Sequence, residues 1–191
     1  MIRSIPDPET ERVWRGERSR KLPPDIQQTA RRKLRAINRA AAPHELANPK
    51  GNRLEKLKGD RKEVYSVRIN DQWRITFRWA DGDAHMSGSR TTIADEDRLD
   101  NVHPGDILRD DFLIGSEISF DEVADGTGID RALVKLIVAS KRDIGASIDA
   151  RLTRYFGMSE GFFLGLQHDY DIEEVRLREA AELDRIVPRA A

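Results

Sequence analysis

The feature that most narrows the fold is a strict alternation on both sides of one turn. Tyr65, Val67 and Ile69 alternate with Ser66 and Arg68; beyond Asn70-Asp71, Trp73, Ile75, Phe77 and Trp79 alternate with Arg74, Thr76 and Arg78. Period two flanking a turn pair predicts an antiparallel hairpin with its aromatic side buried. The same alternation projects Arg68, Arg74 and Arg78 from the opposite side. Lys56, Lys58, Arg61 and Lys62 precede the hairpin and add positive charge. Such a face suits a phosphate backbone, or is simply solvated. Ahead of it, Pro23-Pro24-Asp25 opens a helix. Ile26, Ala30, Leu34, Ile37 and Ala41 form its apolar stripe, Arg31, Arg32, Arg35 and Arg39 lie on the other side, and Pro43 ends it. A shorter helix is expected around Trp14.

Charge divides the 191 residues in two. Residues 1–85 hold 20 Lys/Arg against 12 Asp/Glu, and the remainder holds 13 against 22, which together leave the chain at -1. Two domains that attract one another, or that serve different partners, would show this split. The absence of Cys excludes disulfides and thiolate metal sites, and the four His are scattered, so neither a metal nor a cofactor is expected. No apolar run reaches the roughly 18 residues of a membrane span, and the first residues form no signal-peptide core. A cytoplasmic protein without membrane contact is expected. Residues 86–101, small and polar and then acidic, read as a linker.

Helical signals fill residues 102–191. His103-Pro104-Gly105-Asp106 suits a helix start. Ser119-Phe120-Asp121-Glu122 is a capping-box pattern, Gly126 and Gly128 mark a turn, and Asp130 can cap a helix with Leu133, Val134, Ile137 and Val138 on its apolar side. Two short helices about a tight turn form a helix-turn-helix signature. Arg131 and Lys135, one turn apart, would face a groove, with Lys141 and Arg142 on backbone phosphates; a surface ion-pair network is the competing reading. Further helices are expected over 148–156, over 161–166 with Ser159 as cap, and over 172–186. The aromatic residues Tyr155, Phe156, Phe162, Phe163 and Tyr170 read as core or dimer contact.

The run Arg53-Leu54-Glu55-Lys56-Leu57-Lys58-Gly59-Asp60-Arg61-Lys62, with Tyr65-Ser66-Val67-Arg68-Ile69-Asn70 and Gln72-Trp73-Arg74-Ile75-Thr76-Phe77-Arg78, resembles the HigB branch of RelE-like toxins. The resemblance implies a small α/β fold with a basic sheet face that binds the ribosomal A site and cleaves translated mRNA. It places Lys58 and Arg68 at positions linked to phosphate contact and catalysis, and Arg74 on the basic strand; Lys56, Arg61, Lys62 and Arg78 would help hold RNA. Trp73 and Phe77 are core. The family's closing strand and its aromatic-imidazole tail have no counterpart in Asp83-Ala84-His85-Met86-Ser87-Gly88-Ser89, so the last strand is expected to be missing and His85 to be an ordinary surface residue. His103-Pro104-Gly105-Asp106-Ile107-Leu108-Arg109-Asp110, Ser119-Phe120-Asp121-Glu122-Val123-Ala124 and the run from Tyr155 to Gln167 resemble HigA antitoxins. That resemblance implies a dimer that binds operator DNA and restrains a toxin.

The expected architecture is therefore α+β: a small RelE-like antiparallel sheet with helices over 1–85, a linker over 86–101, and an all-α helix-turn-helix domain over 102–191. The expected function is a fused toxin-antitoxin module. Its mRNA-cleaving half, with Lys58, Arg68 and Arg74 as the catalytic group, would be impaired or silenced by the other half through contact within or between chains. Its partners would be operator DNA, and the ribosome with mRNA where the toxin half is active, and the antitoxin half would form a homodimer. A non-enzymatic dimeric regulator with a vestigial toxin domain is the alternative.

Overall fold

The computed structural model describes residues 1–57, 63–86 and 99–187. Its first half is a five-stranded sheet covered on one side by two helices. Strand β1 (Ile2–Ser4) leads to α1 (Pro8–Arg15) and α2 (Pro24–Arg39), then come β2 (Glu55–Lys56), β3 (Val64–Arg68), β4 (Arg74–Ala80) and β5 (Asp83–Met86). The sheet order is β1-β5-β4-β3-β2. It is mixed, not purely antiparallel, because β1 runs parallel to β5.

The hairpin forms as its alternation dictates. Tyr65 stands opposite Phe77 and Val67 opposite Ile75, and the rings of Tyr65 and Phe77 stack with centroids 5.8 Å apart. The Asn70 side chain closes the turn by accepting from the amides of Gln72 and Trp73 at 3.0 and 2.9 Å. At the next turn Asp81 and Gly82 both have positive φ, +52° and +81°, the geometry of a tight two-residue hairpin loop.

The expected absence of a closing strand is corrected here. β5 pairs with β4 from Ala80↔Asp83 to Phe77↔Met86 and also carries β1. Four residues without a Val/Ile run suffice, because Ala84 and Met86 fill the core side and both flanks are paired. A cavity of about 200 Å³ lies beside Met86, lined in part by Ile75, Thr76 and Leu34. The expected linker is corrected at both ends as well: Met86 and Leu99 are both buried, and Leu99 donates its amide to the Gly16 carbonyl. Residues 87–98 lie outside the described residues.

The second half is all helical. Helix α3 (Pro104–Ile107) continues as a π-helical turn (Leu108–Leu113) and a 3₁₀ turn (Ile114–Ser116). Then come α4 (Phe120–Thr127), α5 (Arg131–Val138), α6 (Ala146–Phe156), α7 (Phe162–Arg178) and α8 (Ala180–Leu183). The helices expected over 161–166 and 172–186 are mainly one helix, α7. Ser159 does not cap it. Asp149 on α6 does so, accepting from the amides of Gly161 and Leu164 at 2.7 and 2.9 Å. Phe112 from the π turn sits among Phe156, Phe162 and Phe163, with centroids 4.9 to 6.0 Å away.

The two halves share one hydrophobic cluster. Helix α2 lies between them. Ile26, Ala30, Leu34 and Ile37 belong to its buried apolar stripe, and Arg31 and Lys33 on its other faces are buried too. A helix whose cations are covered in this way needs carboxylates opposite. The second half supplies them: Lys33 meets Asp111 at 2.7 Å, Arg32 meets Asp110 at 3.2 Å, Arg35 and Arg31 both meet Glu173, and Arg39 meets Asp169.

Candidate nucleic-acid interfaces

The first candidate surface is the outer side of the sheet. Arg68 and Arg74 stand directly opposite each other across β3 and β4, and Ser66 opposes Thr76 in the next same-face row. Directly opposed residues share a face, so the two guanidinium groups arise from one side, as the alternation requires. Arg78 follows on the same side, opposite Val64 on β3 and His85 on β5. His85 was expected to be an unremarkable surface residue; it is half-buried and belongs to this face. The signal for it was available, because two-residue periodicity counted from the Asp81-Gly82 turn puts Asp83 and His85 on one side and Ala84 and Met86 on the other.

Each arginine already has local company. Arg74 donates to the Ser66 hydroxyl and, at 2.7 Å, to the Arg53 carbonyl, with Glu55 at 3.4 Å. Arg68 pairs with Asp71, and Arg78 lies 3.8 Å from Glu63. These carboxylates are largely exposed, so such pairs are weak and exchange readily with another anion. Lys56 does not join the arginines. It stands opposite Tyr65 and its ammonium lies 5.6 Å from that ring, on the other side of the sheet. A two-residue strand obeys the same alternation, and one step in register moves a side chain to the opposite face. Lys58, Arg61 and Lys62 lie outside the described residues.

The second candidate surface is the helix-turn-helix. Ser119 and Glu122 form the reciprocal capping box at the start of α4, and hydrogen bonds from the Ser119 backbone and hydroxyl hold the Glu122 carboxyl below its ordinary pKa. Gly128 ends α4 in the left-handed conformation at φ +66°. Asp130 turns its carboxylate into its own helix, accepting from the amides of Ala132 and Leu133. The carboxylate is thus engaged in capping α5. Arg131 and Lys135 both lie on the exposed side of α5. Arg131 is bound to Asp125 at 2.9 Å and lies 3.7 Å from Asp121, and the Asp125 hydrogen bond raises its pKa. Lys135 lies 5.5 Å from the Phe120 ring. Lys141 and Arg142 are exposed just past α5. Sequence reading passed over Arg151 and Arg154, which line a groove with Gly126, Thr127 and Ser147 beside these helices; their i, i+3 spacing on α6 was the available signal.

The packing behind this surface is close. A β-carbon on Gly105 would stand 1.9 Å from the Ile137 carbonyl, so α3 touches the end of α5 only because this residue is glycine. His103 starts α3, its Nδ1 accepting from the Gly105 amide at 3.0 Å. Burial lowers its pKa against the opposing pull of Asp106, Asp143 and Asp171.

Residues 7–87 match the family described as RelE-like toxin of type II toxin-antitoxin system HigB. Over 66 residues the chain is 41% identical to Toxin HigB-1 of Vibrio cholerae serotype O1, a stretch that is 35% of this chain and 70% of that protein. The chain belongs to this HigB-like family. The HigB-like half is also 41% identical over 54 residues to Endoribonuclease HigB of Proteus vulgaris, covering 28% of this chain and 58% of that one. A further likeness is to antitoxin HigA of Pseudomonas aeruginosa, solved with the higBA promoter; it is 33% identical and covers 48% of this chain and all of that one, with a TM-score of 0.45. The protein therefore joins a HigB-like toxin domain to an all-helical domain that carries a helix-turn-helix.

Proposed function

We propose that the HigB-like half is a metal-independent, ribosome-dependent mRNA endoribonuclease and that the HigA-like half both silences it and binds operator DNA as a homodimeric autorepressor in the cytoplasm. The observation that carries the first part is the opposition of Arg68 and Arg74 on a sheet face that the HigA-like half leaves uncovered. RNA brings its own nucleophile. The 2′-oxygen loses its proton and attacks phosphorus, the bond to the 5′-oxygen breaks, and that oxygen takes up a proton. Arg68 and Arg74 would stabilise the charge on the phosphoryl oxygens. Lys58 completes the catalytic group on this reading, Arg61, Lys62 and Arg78 bind the flanking strand, and His85, beside Arg78, is in place to move a proton.

The HigA-like half docks on α2, across the helical layer from the arginine face. Silencing then works by bulk, keeping this face from the ribosome and not by filling it. For the DNA-binding role, Lys135, Lys141 and Arg142 are presented from and just beyond α5, with Arg131 available once its carboxylates are displaced. Leu177, Leu183 and Ile186 leave apolar surface on the HigA-like half for a second copy. Support for operator binding comes from the HigA relative solved with its promoter.

A translated mRNA in a cell-free system tests the reading. The full chain should cleave little, an Arg35→Glu/Arg39→Glu chain should cleave, and adding Arg74→Ala should lower that cleavage by about 10²–10³-fold. Robust cleavage by the unmodified chain would sink the silencing claim. The alternative, a non-enzymatic regulator with a vestigial toxin domain, is favoured by the carboxylate partners that Arg68, Arg74 and Arg78 already hold. It predicts an operator gel shift that Lys135→Ala weakens, and no cleavage by any variant.

A further inference from the structure

The seam between the halves has a pattern of its own. Arg31, Arg35 and Arg39 fall at four-residue intervals along α2, and Gly165, Asp169 and Glu173 fall at four-residue intervals along α7. Each set makes one stripe on its helix. The stripes meet antiparallel: Arg39 pairs with Asp169 through two nitrogens, while Arg35 and Arg31 pair with Glu173. Gly165 completes the match. A β-carbon there would stand 3.0 Å from Cδ and Nη1 of Arg39, so the absent side chain makes room for the third arginine. A second row comes from the π turn, where consecutive Asp110 and Asp111 reach consecutive Arg32 and Lys33. In an α-helix two successive residues diverge by about 100°. Both carboxylates lie in the π-helical turn, a feature frequent at functional sites.

We propose that the Gly165–Asp169–Glu173 stripe, with Asp110 and Asp111, is a receptor for an arginine-striped helix, and that this charge match determines which toxin domain the HigA-like half accepts. The receptor is filled in cis by α2 and is thereby closed to the toxin domain of any other chain. The inference rests on the toxin-antitoxin reading for its partner, but its test does not depend on RNA cleavage or DNA binding.

Arg39→Asp and Asp169→Arg, made separately in the full chain, should each lower the thermal unfolding midpoint by about 2–4 °C. Together they should restore most of that loss. Losses that merely add would overturn the proposal; Arg39→Gln and Asp169→Asn provide the same cycle at milder cost should a reversal fail to fold. Selectivity is read by co-expressing an Arg35→Glu/Arg39→Glu chain with an Asp169→Arg/Glu173→Arg chain carrying a different tag. Dimerisation through the HigA-like half captures every copy alike, so stripe matching requires more mixed complex between the two variants than either forms with the wild-type chain. Recovery of only same-variant species, or equal capture of the wild type, would reject selectivity by charge.

Discussion

The HigB-like half carries two arginine faces, and they meet opposite fates. On α2 the cations are covered by carboxylates more than 70 residues away in sequence, and Arg31 is wholly buried. On the sheet the cations pair within their own half, Arg68 with Asp71 in the adjoining turn, Arg74 with Glu55 two strands away and Arg78 with Glu63 just ahead of β3, and these carboxylates are mostly in water. Coulomb attraction is worth several times more at a low-dielectric seam than at a surface, and an exposed pair is screened by salt. The first face is thus committed to structure, while the second keeps its charge available. Composition does not separate the two. What separates them is whether an opposite stripe exists elsewhere in the chain.

The largest expected effect tests the committed face. Lys33 and Asp111 are 6% and 4% exposed and 2.7 Å apart, and the Lys33 ammonium also donates to the Asn52 side chain. Asp111→Ala leaves a buried ammonium without its counter-charge and should cost about 3–5 kcal/mol, measured by urea unfolding. The double variant Lys33→Met/Asp111→Leu should recover most of this. A cost below about 1 kcal/mol for the single variant would mean that the seam opens to water, and the contrast between the two faces would fail.

Much of this arrangement was legible in sequence where period and partner are local. The hairpin with its aromatic side inward, the Ser119–Glu122 capping box and the Asp130 cap follow from residues a few positions apart or from one turn, and all three are present. Reading failed where the deciding partner is remote. The arginine side of α2 was legible, but not what covers it, because nothing near Arg31 in sequence announces Glu173. The start of α7 was assigned to Ser159, whose amide at 2.8 Å and hydroxyl both donate to Glu45 of the other half. β5 looked too poor in β-branched residues to form a strand, and its stability comes from being paired on both flanks. Of the proposed sites, Arg68, Arg74 and Arg78 were placed on one face by alternation. Lys56 was not, because proximity in sequence was allowed to stand for facing.

A smaller effect sharpens the comparison by loosening the seam from behind. His103 holds the start of α3, the element that delivers Asp110 and Asp111 to α2. Its ring is buried against Tyr170 with centroids 4.8 Å apart, and burial holds its pKa below the ordinary value of 6.5 despite Asp106, Asp143 and Asp171. Below pH 6.5 the unfolded chain therefore binds a proton that the folded chain resists. Stability is complete above that value and falls as pH drops through it towards the lowered folded value. Protonation of Nδ1 would also abolish its acceptance of the Gly105 amide. His103→Asn keeps a helix-capping side chain and removes the titration. Its urea midpoint should vary less than wild type between pH 7.5 and about 5.5, and an unchanged slope would remove His103 from the linkage.

The smallest stability effect belongs to the available face. Arg78 is 60% exposed, and its carboxylate partner Glu63 is 76% exposed at 3.8 Å. Arg78→Ala should change unfolding free energy by no more than about 0.5 kcal/mol. If the face binds a phosphate backbone, the same substitution should weaken binding of a single-stranded RNA across all sequences alike and reduce the slope of log K against log salt by about 0.7. A structural role would give the reverse pattern, a clear loss of stability with the salt slope untouched. The contrast with Asp111→Ala is then direct: on one arginine face the loss of a charge is felt by the fold, and on the other only by the ligand.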